Sequence, residues 1–414
     1  MAGDPRERDS GKRLLVLGAG PAQLGLLAAA RGRDLHVIAV DRDPSAPGFR
    51  YADRRAIVST EDESGIERLA SAERIDGLIA PGIDWPVAIA ARVAKRLALP
   101  HPISPETAAL STSKLRQRER FDEAGVPQPD YEISSGAAEA REAAQRIGFP
   151  CVVKAPDRQG QRGLTFVHAS QDVEEAVRVA LDASRSATLL VEEHVPGREV
   201  TVNAFSSRGS FVPLTVTDRL TAPLPGFGVA LTHEWPSELE PNQIGAAVEA
   251  AAAAAAAVGI EEGPSYTQVL LGPDGPRVGE LAARLGGGHD AELCRVALGV
   301  DLNGAALSAA LGEDVPASTL APVARVGGAC VRFLVAPPGE LREVNGLEEA
   351  FAQEGIRGIR IYRRPGHLFG ELRRGADRAG AILAVGESRE EALGRADRAA
   401  ERIEFETLPS AALV

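Results

Sequence analysis

The first hundred residues alternate short apolar runs with helical segments, and this alternation constrains the fold more than any other feature. LLVLGAG, LHVIAVD, AIVST and GLIAPG are typical of buried strands, and segments such as QLGLLAAARG between them are typical of helices. Strands that alternate with helices form parallel sheets built from βαβ units. We therefore expect a Rossmann-like N-terminal domain over residues 1–103, which ends at the proline-rich LPHPISP.

The remainder of the chain mixes helices with antiparallel strands. YEISS, CVVKA, LTFVHA and TLLVEE predict four short strands with helices between them, and GREVTVNAF and FVPLTVTD predict two longer ones. The alanine-rich GAAVEAAAAAAAAVG predicts a helix that ends at Gly259. SYTQVLLGPDGPRVGELAA predicts a hairpin with PDGP as its turn. A last α+β segment begins at about residue 323.

Charge and cysteine content exclude several classes of protein. The net charge is −12 and the pI is about 5.3, so nucleic-acid backbones should repel the chain, and we expect no nucleic-acid partner. The three cysteines lie far apart without zinc or redox spacing, which favours a reducing compartment. The uncharged run 14–30 resembles a signal peptide, but Pro21 and Gln23 interrupt it, and it is short for a membrane span. We therefore expect a cytoplasmic protein without membrane contact.

Lysine is rare in a chain that is rich in arginine. Only Lys12, Lys95, Lys114 and Lys154 are lysines among the 46 basic residues. A lysine is expected to persist where a compact ammonium is needed and a planar guanidinium does not fit. Lys12 lies in a polar leader and Lys95 fits a solvated helix face, which leaves Lys114 and Lys154 as candidates for anion binding. The alternative, that four lysines are too few to carry meaning, stays open at this point.

GAGPAQLG, at residues 18–25, follows a predicted strand and opens a predicted helix, an arrangement that can present backbone amides to an anion. Asp41 ends the next strand, where dinucleotide-binding folds carry a ribose-binding acid. The dinucleotide fingerprint requires glycine at its sixth position, which here is Gln23. The motif supports a Rossmann-like domain, and a nicotinamide-dependent oxidoreductase remains an alternative function.

Two further motifs suggest a nucleotide site. CVVKAPDRQGQRG puts Lys154 at the end of a strand before a loop with Gly160 and Gly163, and such loops can hold a triphosphate through an ammonium and backbone N–H groups. VEEHVPGREV carries two adjacent carboxylates at a strand end, as in a hinge that reads a base and a ribose. A solvated acidic loop is the alternative interpretation of the second motif.

The predicted hairpin carries Gln268 and Glu280 twelve residues apart across its turn. Oxygen ligands on paired strands can meet at a hard cation, and Mg²⁺ prefers a few protein oxygens together with phosphates. LAARLGGGHD follows directly, where Arg284 supplies a permanent positive charge and the glycines at 286–288 can form a backbone concavity for an anion.

In this order, these elements resemble an ATP-grasp enzyme over nearly the whole chain. The resemblance implies an α/β protein with the Rossmann-like domain (1–103), an ATP-grasp module of two α+β subdomains (104–322, with a lid at about 125–190) and a small α+β C-terminal segment (323–414). Within the superfamily, the C-terminal run VRFLVAPPGELREVNGLEEA with DRAGAILAVGESREEALGRA is most similar to carboxylate–amine ligases of the L-amino-acid ligase type.

The resemblance also implies roles for single residues. Lys114 and Lys154 match the two nucleotide lysines, Glu192 the residue facing the adenine amino group, and Glu199 the ribose ligand. Together with the glycine loop, the residues expected to hold ATP are Lys114, Lys154, Gly160, Gly163, Glu192, Glu193, Val195 and Glu199. Gln268 and Glu280 match the pair that holds Mg²⁺, for which Mn²⁺ can substitute. Residues expected around the substrates are Arg284, Gly286, Gly287, Gly288 and His233, although a structural role for His233 stays open.

The implied function is an ATP-dependent ligase that joins a carboxylate, such as an amino acid or small acid, to an amine through an acyl phosphate. Arg284 and Lys154 are the implied catalytic residues, and ADP and phosphate are released. Ala282 departs from relatives that carry asparagine there, so an ATP-binding protein without ligase activity remains an alternative, as does bicarbonate as the carboxylate. A homodimer is expected by default.

Overall fold

A computed structural model describes residues 11–409 of the chain. Residues 1–10 and 410–414, which belong to the predicted first and last domains, lie outside the described residues. The predicted mixed α/β fold is confirmed.

The N-terminal part forms a four-stranded sheet in which every pairing is parallel, as the alternation predicts. Its order is β3-β2-β1-β4. Its elements are β1 (Arg13–Leu17), α1 (Leu24–Gly32), β2 (His36–Val40), β3 (Arg54–Ala56), α2 (Glu63–Glu73), β4 (Gly77–Ile79) and α3 (Asp84–Arg96). The strand predicted over AIVST is displaced, because only Ala56 lies in β3 and the Ile57 side chain is exposed.

Two short helices, α4 (Pro105–Ser111) and α5 (Lys114–Ala124), follow the first sheet. A serine caps each one: Ser104 accepts the Thr107 N–H at 3.0 Å, and Ser113 accepts the Arg116 N–H at 3.4 Å. Lys114 is therefore the first residue of α5, at the helix end that turns toward the rest of the module.

The next segment is a four-stranded antiparallel sheet of order β5-β8-β6-β7 with two helices. Its elements are β5 (Tyr131–Ser134), α6 (Ala137–Ile147), β6 (Cys151–Lys154), β7 (Leu164–Val167), α7 (Val173–Ala183) and β8 (Leu189–Glu193). Small and β-branched side chains of both helices and the sheet form a separate apolar core. We refer to this segment as the lid, and its hinge-like mobility stays a prediction.

An eight-stranded sheet of order β13-β12-β9-β10-β11-β14-β18-β16 forms the larger half of the molecule. Its strands are β9 (Arg198–Ser207), β10 (Ser210–Thr221), β11 (Ala230–Trp235), β12 (Gly263–Gly272), β13 (Gly275–Ala282), β14 (Gly328–Leu334), β16 (Ile356–Ile361) and β18 (Gly380–Gly386). The sheet continues across the predicted boundary at residue 322, because β14 pairs with β11. A smaller sheet joins β17 (Leu368–Phe369), β15 (Gly339–Asn345) and β19 (Glu404–Leu408).

Five helices cover these sheets: α8 (Pro241–Val258), α9 (Asp290–Leu298), α10 (Leu302–Ala310), α11 (Leu347–Phe351) and α12 (Arg389–Ala400). The alanine-rich α8 buries Ala247, Ala250, Ala251 and Ala254, a spacing that places them on one helical face. Gly259 ends α8 in the left-handed conformation, as predicted.

One apolar core reaches from the first sheet to the large sheet through α9 and α10, with Leu14, Leu26, Leu307 and Val331 all fully or almost fully buried. This shared core fixes the N-terminal part against the larger half. All three cysteines are buried and carry free thiols. Within residues 11–409, no helix combines the length and the apolar character needed to cross a membrane.

Candidate active site

A cavity of about 520 Å³ opens between the lid and the large sheet. The ends of β6 and β8 line it from the lid, and β9, β10, β12 and β13 line it from the large sheet. Nine of the predicted site residues line this cavity: Lys114, Lys154, Gly160, Glu192, Glu193, Val195, Glu199, Gln268 and Glu280. Residues that are up to 166 positions apart in the sequence therefore share one enclosure, which we call the first cavity.

Glu192 lies between two buried cations at the lid side of the first cavity. Its Oε1 accepts from Arg118 Nε at 2.9 Å, and its Oε2 lies 2.6 Å from Lys154 Nζ. Burial alone would raise the pKa of Glu192, but the two cations outweigh burial and hold that pKa at about 2. Burial lowers the pKa of Lys154 to about 8 against the opposing effect of Glu192. The carboxylate predicted to face adenine is thus engaged by protein cations.

Gln268 and Glu280 lie directly opposite one another on β12 and β13, next to a register shift between Gln268 and Val269. Lys114 Nζ reaches this pair and lies 2.9 Å from Glu280 Oε1, while it also donates to the Arg158 carbonyl oxygen at 2.6 Å. Burial would raise the pKa of Glu280, but the Lys114 ammonium outweighs burial and the pKa is lowered. The carboxylate is therefore ionised. Lys114 therefore neutralises the charge of Glu280 in the predicted metal pair.

The residues of the hinge after β8 differ in what their backbone can offer. The Glu193 N–H donates to the Asp130 carbonyl oxygen at 2.8 Å, so that amide is already used. Val195 makes no backbone hydrogen bond within residues 11–409, and its groups can bind another partner. Phe166 contacts the His194 ring at a centroid distance of 4.8 Å and adds an aromatic wall beside the hinge. The hinge thus combines an apolar surface with backbone polar groups.

A second cavity, of about 490 Å³, shares Gln268 and Glu280 with the first cavity. Four of the residues predicted around the substrates line it, namely Arg284, Gly287, Gly288 and His233. The loop at residues 20–23 of the N-terminal part and the segments that contain Tyr362 and Arg378 complete its lining. The two cavities thus adjoin at the predicted metal pair.

An acid of the N-terminal part holds Arg284 in position. Arg284 Nε donates to Asp84 Oδ1 at 2.6 Å, and its Nη1 donates to the Leu285 carbonyl oxygen at 2.8 Å. Burial raises the pKa of Asp84, although the Arg284 guanidinium opposes that effect. Asp84 is the first residue of α3, and it fixes the guanidinium at the rim of the second cavity.

His233 and Asp290 form a buried pair beside the glycine-rich loop. His233 Nδ1 lies 2.9 Å from Asp290 Oδ1, and the Gly288 N–H donates to Asp290 Oδ2 at 3.2 Å. Burial would raise the pKa of Asp290, but His233 and the Gly288 amide hold it at about 2. A Cβ on Gly288 would lie 2.4 Å from His233 Cε1, so only glycine lets the loop pass the ring.

Two predicted glycines lie outside both cavity linings. Gly163 packs against α7, where a Cβ would lie 2.7 Å from Ala183 Cβ, and Gly286 packs against Asp290, where a Cβ would lie 2.2 Å from Oδ2. Close packing therefore accounts for both glycines, and their roles toward ATP or substrate stay predictions.

Sequence reasoning missed Arg118, Arg219 and Asp84. Arg118 lies four residues after Lys114 on α5, a spacing that puts both side chains on one helix face and could have been noticed. Arg219 ion-pairs with Glu199, the predicted ribose ligand. The pairing of Arg219 with Glu199 depends on how the strands of the large sheet pack, and the pairing of Asp84 with Arg284 depends on how the N-terminal part packs against the larger half.

Two family models match this chain. The ATP-grasp domain matches residues 119–220, and the L-amino acid ligase C-terminal domain 2 matches residues 332–408. The first of these matches spans the lid and the start of the large sheet, which together enclose the first cavity. The chain therefore carries an ATP-grasp domain. More particularly, residues 332–408 match the L-amino acid ligase C-terminal domain 2, as the resemblance predicted from the sequence implies.

Similar proteins include enzymes and a protein without a described activity. The chain is 28% identical over 394 residues to protein y4rH of Sinorhizobium fredii, covering 92% of this chain and 80% of that protein. It is 32% identical over 179 residues to formate-dependent phosphoribosylglycinamide formyltransferase of Burkholderia pseudomallei, but this match spans only 42% of this chain and 44% of that enzyme. The first similarity extends over most of the chain, whereas the second concerns less than half of either protein.

Two solved structures share the fold over nearly the whole chain. The L-amino acid ligase from Bacillus licheniformis superposes with a TM-score of 0.82 at 21% identity, covering 96% of this chain and 99% of that one. Phosphoribosylglycinamide synthetase from Anaerococcus prevotii superposes with a TM-score of 0.77 at 20% identity, covering 96% and 100%. At these identities the likeness concerns the fold.

Proposed function

We propose that this protein is an ATP-dependent carboxylate–amine ligase. The observation that carries the proposal is the junction of two cavities at Gln268 and Glu280. A phosphoryl group must pass from a nucleotide to a second substrate, and adjoining cavities that share oxygen ligands and the cation Lys114 allow that transfer. A carboxylate attacks the γ-phosphorus of ATP and releases ADP, and an amine then displaces phosphate from the acyl phosphate to form the amide.

In this proposal, Lys154 and Lys114 supply positive charge for the phosphates of ATP, and the backbone groups of Val195 bind the adenine edge. Because both ammonium groups are largely buried, their attraction for phosphate is stronger than it would be in water. Glu192, which Arg118 holds in turn, positions Lys154. Glu193 and Glu199 border the base and ribose positions and remain proposed contacts.

Gln268 and Glu280 fit a Mg²⁺ or Mn²⁺ ion that also binds phosphate oxygens. Within residues 11–409, no group of three His, Cys, Asp or Glu side chains is arranged to hold a metal, and one carboxylate with one amide oxygen matches the few protein ligands that Mg²⁺ takes beside phosphates. When bound, the ion supplies charge stabilisation for phosphoryl transfer. Lys114 contacts Glu280 through Oε1, so the other carboxylate oxygen would be available to the ion.

On the substrate side, Arg284 and the loop amides at 286–288 stabilise the oxyanion that forms when the amine attacks the acyl carbon. Asp84 keeps the guanidinium oriented in the absence of substrate. His233, positioned by Asp290, borders the same cavity and contacts the substrate there.

The geometry of the first loop does not favour a nicotinamide-dependent oxidoreductase. Asp41 Oδ2 accepts the Ala19 N–H at 2.9 Å, so the acid closes its own loop. The Gln23 side chain lies beneath Gly18, where a Cβ would be 2.9 Å from Gln23 Cδ. The Gln23 side chain therefore packs against the first glycine of the motif, from the position at which the dinucleotide fingerprint requires a glycine.

The test measures ADP release from ATP and Mg²⁺ with pairs of small acids and amines, followed by mass analysis of the product. Release that requires both an acid and an amine, together with an amide product, supports the ligase. Nucleotide binding with no release for any pair supports the ATP-binding alternative. A homodimer and a cytoplasmic location belong to the same proposal, and light scattering checks the first.

A further inference from the structure

The second cavity has an unusual charge. Among the residues that the structure describes, seven arginines line it, and Glu280 is the only acidic residue in the lining. Three of these arginines are neutralised by carboxylates from outside the cavity: Arg219 by Glu199, Arg284 by Asp84 and Arg374 by Asp377.

The other four arginines of the cavity lack such a partner. Arg42, Arg162, Arg363 and Arg378 have no carboxylate within 4.0 Å in the part of the chain that the structure describes. Guanidinium groups cannot lose their charge at physiological pH. A partly enclosed cluster of unpaired cations therefore creates a positive potential that favours an anion.

Arg378 is the most firmly positioned of the four. Its guanidinium stacks on the Phe333 ring at 3.7 Å from the centroid and donates through Nε to the Gly375 carbonyl oxygen at 2.9 Å. Burial lowers the pKa of Arg378, which reflects the cost of keeping this charge away from water. Arg363 lies in the same lining and donates through Nη2 to the Ala376 carbonyl oxygen at 2.8 Å. Its buried Nε has no hydrogen-bond partner among the described residues.

The unpartnered polar atoms continue to the junction of the two cavities. The Arg219 side chain is only 5% exposed, and its Nε makes no hydrogen bond with any residue from 11 to 409. A buried donor without a partner costs free energy that a bound acceptor would recover. The cationic lining thus extends from Arg378 to the position where the carboxylate must react.

The same cavity has little to offer a substrate cation. The one acid, Glu280, is already paired with Lys114. An ammonium next to the reacting carboxyl, as in a simple neutral amino acid, would lie among arginines without a free carboxylate.

We infer that the carboxylate substrate carries a second anionic group, a carboxylate or a phosphate, that binds at Arg378 and Arg363 while the first carboxylate reacts beside Gln268 and Glu280. This inference rests on the proposed ligase function and narrows its substrate to dianionic acids. Both arginines lie within the L-amino acid ligase C-terminal domain 2, which would then contribute to substrate selection.

The test titrates small acids into the full chain by calorimetry, after the protein has been saturated with Mg²⁺ and a non-hydrolysable ATP analogue. Glutarate and 4-phosphonobutyrate are the dianionic acids, and glutaramate is a monoanion of matched length. At least one dianion should bind about tenfold more tightly than glutaramate, because its second anionic group can accept charge-assisted hydrogen bonds from the arginines. Tighter binding of glutarate indicates a carboxylate as the natural second group, and tighter binding of 4-phosphonobutyrate a phosphate.

Arg378→Met removes the charge and keeps an unbranched side chain over Phe333, and it should reduce the preference to less than about threefold. Arg363→Met provides a second variant in case Arg378→Met does not fold, and melting curves check both. Arg373→Met is the matched control, because Arg373 is exposed, pairs with Glu371 and lies outside the second-cavity lining.

Three results would overturn the inference: no preference for either dianion, no binding of either dianion, or a preference that both cavity variants retain. Failure of the ATP analogue itself to bind would instead refute the proposed function, so the two failures are distinguishable.

Discussion

Replacing Glu192 by glutamine should both destabilise the protein and change how its ATP affinity depends on pH. The pKa of Glu192 is about 2 against an ordinary 4.5, a difference that corresponds to about 3 kcal/mol in favour of the ionised carboxylate. Removing the charge leaves Arg118 and Lys154 buried without their shared partner, a change that typically costs about 3–5 kcal/mol. We therefore expect the free energy of unfolding to fall by about 3 kcal/mol or more.

The same substitution removes the group that raises the pKa of Lys154. That pKa is about 8 in the native protein, so ATP affinity should fall as the pH rises through about 8 and the ammonium loses its proton. In Glu192→Gln the decline should begin at lower pH, because only the unfavourable effects of burial and nearby cations remain. Urea unfolding measures the stability, and calorimetry between pH 6.5 and 9 measures the affinity.

Glu249→Gln is the control, because Glu249 is exposed on α8 and lines neither cavity, and this change should leave both quantities nearly unchanged. The reasoning would be wrong if the wild type and Glu192→Gln gave superimposable pH profiles, or if their free energies of unfolding differed by less than about 1 kcal/mol.

Other substitutions test separate parts of the site. Lys154→Arg should abolish turnover although the charge is kept, because the wider guanidinium does not fit the buried position. Lys95→Arg, on an exposed helix surface, should leave the steady-state rate unchanged. Near-normal steady-state turnover of Lys154→Arg would count against the proposed role of Lys154. Glu280→Gln should weaken magnesium dependence and lower the rate by about 100-fold or more, and a magnesium titration identical to that of the wild type would remove Glu280 from the metal site. Gly288→Ala should lower the melting temperature, because its Cβ would lie 2.4 Å from His233 Cε1, and an unchanged melting curve would contradict the packing described here.

The sequence was most informative where chemistry and local geometry coincide. The PDGP turn predicted a hairpin that carries Gln268 and Glu280 on paired strands, and the structure contains this hairpin. A register shift between Gln268 and Val269 brings the two residues directly opposite one another, and the turn alone does not predict that shift. The scarcity of lysine singled out Lys114 and Lys154, which both line the first cavity. The parallel order of the first sheet followed from the alternation of strands and helices.

Contacts between distant segments could not be predicted in this way. Arg118 and Glu192 are 74 residues apart, and the stacking of Arg378 on Phe333 depends on how two C-terminal segments pack. Neither pair produces a periodic pattern or a characteristic spacing in the sequence, because the sequence does not show whether an arginine lies on a surface or in a cavity. The extension of the large sheet through β14, β18 and β16 was missed for the same reason.

The link between Asp84 and Arg284 spans 200 positions of the chain. A chimera that exchanges the first hundred residues for those of a homologue would need an equivalent acid at the start of its third helix. Without that acid, the chimera would leave the Arg284 guanidinium at the rim of the second cavity without its carboxylate partner. The guanidinium would then be misplaced for the reaction even if both halves folded. The two halves are thus expected to evolve as a matched pair rather than as interchangeable modules.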